Sequence, residues 1–204
     1  MYTFRFYSGE SRDKQDKANI DQCNAYLDFQ FNISSDPRDD YTAVAVASNA
    51  SRISKFWARQ FAHLISEDFG LTIGGNNGTL IGGVDGRSEL NLIYTHMPSI
   101  LILPLFLSNP LHASWIRDKS VQFRIARNLA KSIYFAFPNG GSFAFTTSSY
   151  TPEDLKTINS IFGTEYPAEY ALKILRQTCI MMQSQVTSSI ANYQTKLNPD
   201  SIQR

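Results

Sequence analysis

The sequence is poor in the residues that most often announce a chemistry. It has three histidines, His63, His96 and His112, and two cysteines, Cys23 and Cys179. So few imidazole and thiol donors leave little from which to assemble a metal centre. The cysteines lie far apart in sequence, which leaves open a disulfide or two free thiols; two thiols in a reducing compartment is the simpler reading. Lys and Arg number 19 against 18 Asp and Glu, for a net charge of +1, and the basic residues do not cluster along the chain. That balance gives no electrostatic footprint of a nucleic-acid or anionic-membrane binder. No apolar run reaches the roughly 18 residues that a membrane-spanning helix needs. The opening Met1 to Ser8 lacks the basic-then-apolar pattern of a signal peptide, so the expectation is a protein made in the cytoplasm and incorporated into a larger assembly. A Gly-x-Ser-x-Gly elbow is absent and Cys23 has no histidine near it in sequence, so a Ser or Cys hydrolase finds no support.

What is present is a strong pattern of buried elements. Met97 to Asn109 contains the continuous apolar run Ile100 to Leu103 between turn residues. Such a run predicts a strand covered on both faces, and hence an α/β three-layer sandwich with a mostly parallel sheet. Open sheets of this kind place ligands at the C-terminal edge of their strands. Strand-like stretches also occur at residues 2–7, at Ala25 to Asn32 and at Thr42 to Ala47. A helix is expected over Asp13 to Asn24, with Ala18, Ile20 and Cys23 inward. Ser51 is placed to cap a helix to Asp68 with the stripe Ile53, Phe56, Trp57, Phe61, Leu64 and Ile65, and Gly70 to stop it. The glycine-rich stretch Gly74 to Gly86 has neither the ending of a P-loop nor the spacing of a dinucleotide fingerprint, and reads as a surface loop. A short helix over Glu89 to Thr95 and a longer one over Lys119 to Phe135 complete an α/β domain spanning 1–138. Phe143 to Phe145 reads as an edge strand or an arm within a connecting region, 139–166.

Thr151-Pro152-Glu153-Asp154 is a strong helix start. Pro167 then opens the longest helix, within a C-terminal region of 167–204. Its stripe is Leu172, Leu175, Cys179, Met182, Val186, Ile190, Tyr193 and Leu197 at spacings of three or four. Between Arg176 and Lys196 this helix has no charged residue. Two readings follow: packing across the rest of the chain, or a surface for protein partners or self-association.

Three segments together resemble the zinc-dependent N-acetylmuramoyl-L-alanine amidases, which cut the bond between glycan and stem peptide in peptidoglycan. Lys17-Ala18-Asn19 leading to Phe29-Gln30-Phe31-Asn32 is similar to the family's helix and strand ending Ser-Ile-His-Ala-Asn. The helix from Ser51 to Phe69 with Gly70-Leu71 is similar to its crossover helix. Thr95 to Pro110 is similar to a family segment ending Val-Glu-x-Gly-Phe-Leu-Ser-Asn-Pro, with Pro98, Phe106, Leu107, Ser108, Asn109 and Pro110 matching. The resemblance spans residues 1–137 and implies an amidase fold, degenerate and shortened at its N-terminus. The family holds zinc through two histidines and a glutamate and uses a second glutamate as general base. Here the strand histidine corresponds to Gln30, a poor zinc ligand, and the base to Leu103, which takes no proton. The other ligands belong to a first strand and helix that this chain either lacks or keeps as the remnant Tyr2 to Tyr7.

The resemblance therefore implies a non-catalytic protein without a cofactor: a structural or assembly component, for example of a virion, a tail or a cell-envelope complex, or a regulator of a wall hydrolase. Asn32, Asn109 and His112 are the candidate residual cleft contacts for glycan or peptide. The alternative is an active peptidoglycan amidase in which His112 and acids such as Glu10, Asp13 or Asp28 hold zinc at a relocated site.

Overall fold

The computed structural model describes residues 1–83, 87–148, 150–162 and 167–197; side chains are described for the same residues except 87, 88 and 185–197. Val186, Ile190, Tyr193 and Leu197 of the expected interaction stripe thus lie outside the described side chains.

Seven strands and the helices between them form a mixed α/β sandwich. The strands are β1 (Tyr2–Phe6), β2 (Ala25–Phe29), β3 (Tyr41–Val46), β4 (Thr72–Ile73), β5 (Thr79–Ile81), β6 (Ser99–Leu103) and β7 (Gly141–Thr147). Their order is β1-β7-β2-β6-β3-β4, with β5 also on β3. Every ladder is parallel except β3 with β6. The helices are α1 (Ser11–Ile20), α2 (Arg52–Phe69), α3 (Arg87–Leu90), α4 (Pro110–Arg117), α5 (Lys119–Ala136), α6 (Pro152–Phe162) and α7 (Pro167–Leu197). As the sequence predicts, β6 is buried at every position.

Alternation along the strands sorts side chains to two faces. Leu27, Phe29, Ile100, Ile102, Phe143 and Phe145 join a large apolar core with α2, α5 and α7. Tyr26, Leu101, Leu103 and Ala144 join a smaller cluster with Ala18 of α1 and with Leu92. Ser51 caps α2 by accepting from Ser54 N at 3.1 Å, and Gly70 ends it at φ 71. Its buried face is Ser54, Trp57, Ala58, Phe61, Ala62 and Ile65. Ile53 and Phe56, expected in that stripe, are each 46% exposed, because small Ser54 and Ala58 are the residues that let the helix approach the sheet. In the same way Ile20, expected inward, is 79% exposed, while Lys14 and Gln15 are buried in its place.

The largest departure concerns β7. Phe143 to Phe145 forms neither an edge nor an arm: β7 enters the sheet between β1 and β2. An aromatic ladder fastens it. Phe4 pairs in register with Phe143 and Phe6 with Phe145, with ring centroids at 5.7 and 5.9 Å. Sequence alternation identifies such a strand but says nothing of its neighbours. The first turns of α7 pack on α5, with Ala171, Ile174, Leu175, Thr178, Cys179 and Met182 buried. Leu172 is half-buried. Of the two readings of the C-terminal stripe, the described turns therefore take the first, packing within the chain. Cys23 and Cys179 are both free and buried, and burial pushes the Cys179 thiol up to about 12.

Candidate functional site

The C-terminal ends of β2 and β6 bring the two principal sequence positions together. Phe29 pairs with Ile102, and Gln30 N donates to Ile102 O at 3.1 Å. Gln30 and Leu103, one step further on, are therefore neighbours on adjacent parallel strands, side chains on the same face as Asp28 and Leu101. Leu103 is 3% exposed within the smaller apolar cluster, and Gln30 is half-buried.

Beyond Pro104 the strands make one more bridge, Asn32 to Phe106, closed by Leu107 N donating to Asn32 O at 2.8 Å. Asn32 is buried, and its Oδ1 accepts from Ile33 N. Asn109 is the N-cap of α4: its Oδ1 accepts from Leu111 N and His112 N, and its Nδ2 donates to Asp39 O at 3.1 Å. The ring of His112 is 1% exposed and stacks on Trp115 at 5.1 Å. Its Nδ1 accepts from Phe106 N at 3.1 Å, which makes a neutral ring protonated on Nε2. Burial holds its pKa below the usual imidazole value, against the pull of Asp40. The three expected cleft contacts thus converge on one edge, each engaged in shaping the loops there. His63 and His96 lie elsewhere, His63 on α2 beside Asn77 and His96 before β6, with its backbone N bonded to Asn19.

An open concavity of about 540 Å³ lies at this edge. Ser34, Ser108, Thr151, Glu153 and Asp154 supply much of its polar lining, and Ile33 and Ile161 part of its apolar lining. Thr151 and Asp154 cap α6 reciprocally: Asp154 N donates to Thr151 Oγ1 at 3.1 Å, and Thr151 N to Asp154 Oδ2 at 3.0 Å. Hydroxyls and carboxylates of this kind hydrogen-bond a polar or cationic ligand.

Sequence reasoning missed a buried polar network just inside the same edge. Asp28, fully buried in mid-strand, accepts from Thr146 Oγ1 at 2.9 Å and from Ser148 Oγ at 2.6 Å. Ser148 Oγ in turn accepts from Asn91 Nδ2 at 3.0 Å, and Asn91 Oδ1 accepts from Ser11 Oγ. Lys14, 2% exposed, donates from Nζ to Thr147 O at 2.9 Å. Burial raises the Asp28 pKa, opposed by the charge of Lys14 and by the two hydroxyls. The signal available was one acid inside the otherwise apolar run Ala-Tyr-Leu-Asp-Phe of β2. Its hydroxyl partners lie more than a hundred residues away, Thr146 on β7 and Ser148 just beyond it, so spacing did not reveal them.

Among the described residues, the positions that the resemblance singles out carry few metal donors. Gln30, at the ligand position, offers an amide, and His112 has its Nδ1 taken up by the Phe106 amide. Among the described residues no group of three His, Cys, Asp or Glu side chains is placed to hold a metal ion.

No protein-family profile matches the sequence, and no curated protein is similar to it in sequence. Solved structures do match in fold. The catalytic domain of CwlV, an N-acetylmuramoyl-L-alanine amidase from Bacillus (Paenibacillus) polymyxa var. colistinus, matches with a TM-score of 0.53 at 21% identity, over 65% of this chain and 68% of that one. An N-acetylmuramoyl-L-alanine amidase from Clostridium difficile 630 gives 0.54 at 17%, over 63% and 67%. The CwlD amidase from Clostridioides difficile, in complex with the GerS lipoprotein, gives 0.52 at 17%, over 63% and 61%. At these identities the likeness is one of fold: the chain has the α/β fold seen in N-acetylmuramoyl-L-alanine amidases.

Proposed function

We propose that this chain is a non-catalytic amidase-fold protein that acts by binding, as a structural or assembly component of a larger complex such as a virion, a tail or a cell-envelope assembly. The observation that carries the reading is the pair Gln30 and Leu103, side by side at the C-terminal edge. Hydrolysis of this bond by the family's route needs a carboxylate that takes a proton from the attacking water and returns it to the leaving amine. A hydrocarbon packed in an apolar cluster supplies neither step. Partner binding has a parallel on this fold in the CwlD amidase solved with its lipoprotein.

The test is an amidase assay of the purified chain on muramoyl-peptide fragments, with and without added zinc, following free stem peptide by mass spectrometry. The expected outcome is no release above the protein-free control in either condition. Zinc-dependent release that is lost in His112→Gln would overturn the proposal and point to a relocated metal site.

A further inference from the structure

A second concavity, of about 380 Å³, opens where the start of α5 meets the first turns of α7. Among the described residues its lining includes four cations, Arg117, Lys119, Lys173 and Arg176, and no aspartate or glutamate. In a chain with 19 basic and 18 acidic residues this is a local concentration, not a reflection of composition. It comes from folding, since Arg117 and Lys119 are brought beside Lys173 and Arg176 by the packing of α7 on α5.

Two of the cations are held in place. Arg117 lies 3.9 Å from the Phe162 ring centroid, and its guanidinium donates to Ala113 O at 3.0 Å and to Phe162 O at 2.5 Å. Lys173 Nζ sits 5.1 Å from the Tyr170 ring centroid. Lys119 and Arg176 have no carboxylate partner among the described residues. The nearest acid in sequence to Lys119, Asp118, is turned to the helix: it caps α5 by accepting from Ser120 N at 2.8 Å. Like charges gathered on a concave wall repel one another, and an anion between them removes that cost. Guanidinium and ammonium groups together suit phosphate oxygens, one through its planar fork and the other as a point charge. Gln177 also lines this wall, and its Oε1, buried without a hydrogen-bond partner among the described residues, meets a ligand hydroxyl once the side chain turns toward the groove.

We propose that this groove binds a small soluble phosphate ester of a hydroxylated molecule, with Lys119, Lys173 and Arg176 on the phosphate and Gln177 accepting a hydroxyl. A recessed wall of this volume takes a small molecule, not a membrane face. The proposal is independent of the amidase likeness.

The test is calorimetric titration of the whole protein with glucose 1-phosphate, inorganic diphosphate and glucose at low salt. Saturable binding of glucose 1-phosphate is expected, weakened at least tenfold in the double variant Lys173→Ala/Arg176→Ala and weakened by added salt. Both side chains are exposed, so the variant should fold; Lys119→Met serves as a second variant with a smaller loss expected. Gln177→Leu should weaken glucose 1-phosphate and leave diphosphate unchanged. Absence of saturable binding, equal affinity in the double variant, or binding to phosphatidylglycerol vesicles without binding to either soluble phosphate would each overturn the proposal.

Discussion

The face of the sheet under α2, α5 and α7 and the face under α1 and α3 are supplied by the same strands yet filled differently. The first is large and apolar: Trp57, Phe61, Ile65, Leu129 and Ile133 from the helices meet Phe29, Ile100, Ile102 and Phe143. The second has small residues, Ala18, Ala45, Ala47 and Ala144, and beside them the network of Asp28, Lys14, Thr146 and Ser148. On the first face stability scales with the hydrocarbon removed from water, about 1.5–3 kcal/mol for each large side chain. On the second it depends on satisfying every buried polar group, because an orphaned one costs more than a made bond contributes. Leu103, a hydrocarbon, has no base character in any setting. It shares the second face with Asp28, whose carboxyl is sealed by the hydroxyls of Thr146 and Ser148.

The contrast can be broken from either side. The largest effect is expected from Phe61→Ala, which empties the first face: a loss of about 3–5 kcal/mol in urea unfolding. A loss below about 1 kcal/mol would mean that α2 does not carry that core. Next is Lys14→Met, expected to cost about 1–3 kcal/mol by removing the donor to the buried Thr147 O and the charge that opposes the burial of Asp28. Adding Asp28→Asn, which removes the charge and keeps an acceptor for the hydroxyls, should recover part of this, and a double-mutant cycle that came out additive would show the two groups to be uncoupled.

A smaller effect sharpens the description of the edge. His112 is held below its ordinary pKa, so below about 6.5 an unfolded chain binds a proton that the folded one refuses. Stability from this residue is therefore complete above that pH and is lost as pH falls toward the folded pKa. The slope of unfolding free energy between pH 7 and 5 should be shallower in His112→Gln by at most about 1.4 kcal/mol per pH unit. An unchanged slope would mean that the ring is not excluded from protonation. The smallest effect, about 1 kcal/mol in thermal or urea unfolding, is expected from Ser51→Ala at the cap of α2, well away from either filling.

Much of the local structure was legible because its causes are local. The Ser51 cap and the Gly70 stop act within one turn, and the apolar run at Ile100 states its own burial on both faces. The alignment of Gln30 with Leu103 was also within reach, since both positions follow from the same resemblance. The exposure of Ile53, Phe56 and Ile20 was not legible: a helical stripe does not say which of its margins the sheet will cover.

By itself, then, the sequence determined the larger elements and the fold class, since these depend on residue type and short-range spacing; the short β4, β5 and α4 were not among them, and the reading of Gln30 and Leu103 came from the family resemblance. Tertiary structure alone decided the rest. It put β7 between β1 and β2, which closed Thr146 and Ser148 onto Asp28. It laid α7 along α5, which gathered scattered cations into one groove. Both outcomes join residues distant along the chain, and contacts of that kind are selected by the burial and charge balance of the whole fold, which no local pattern records.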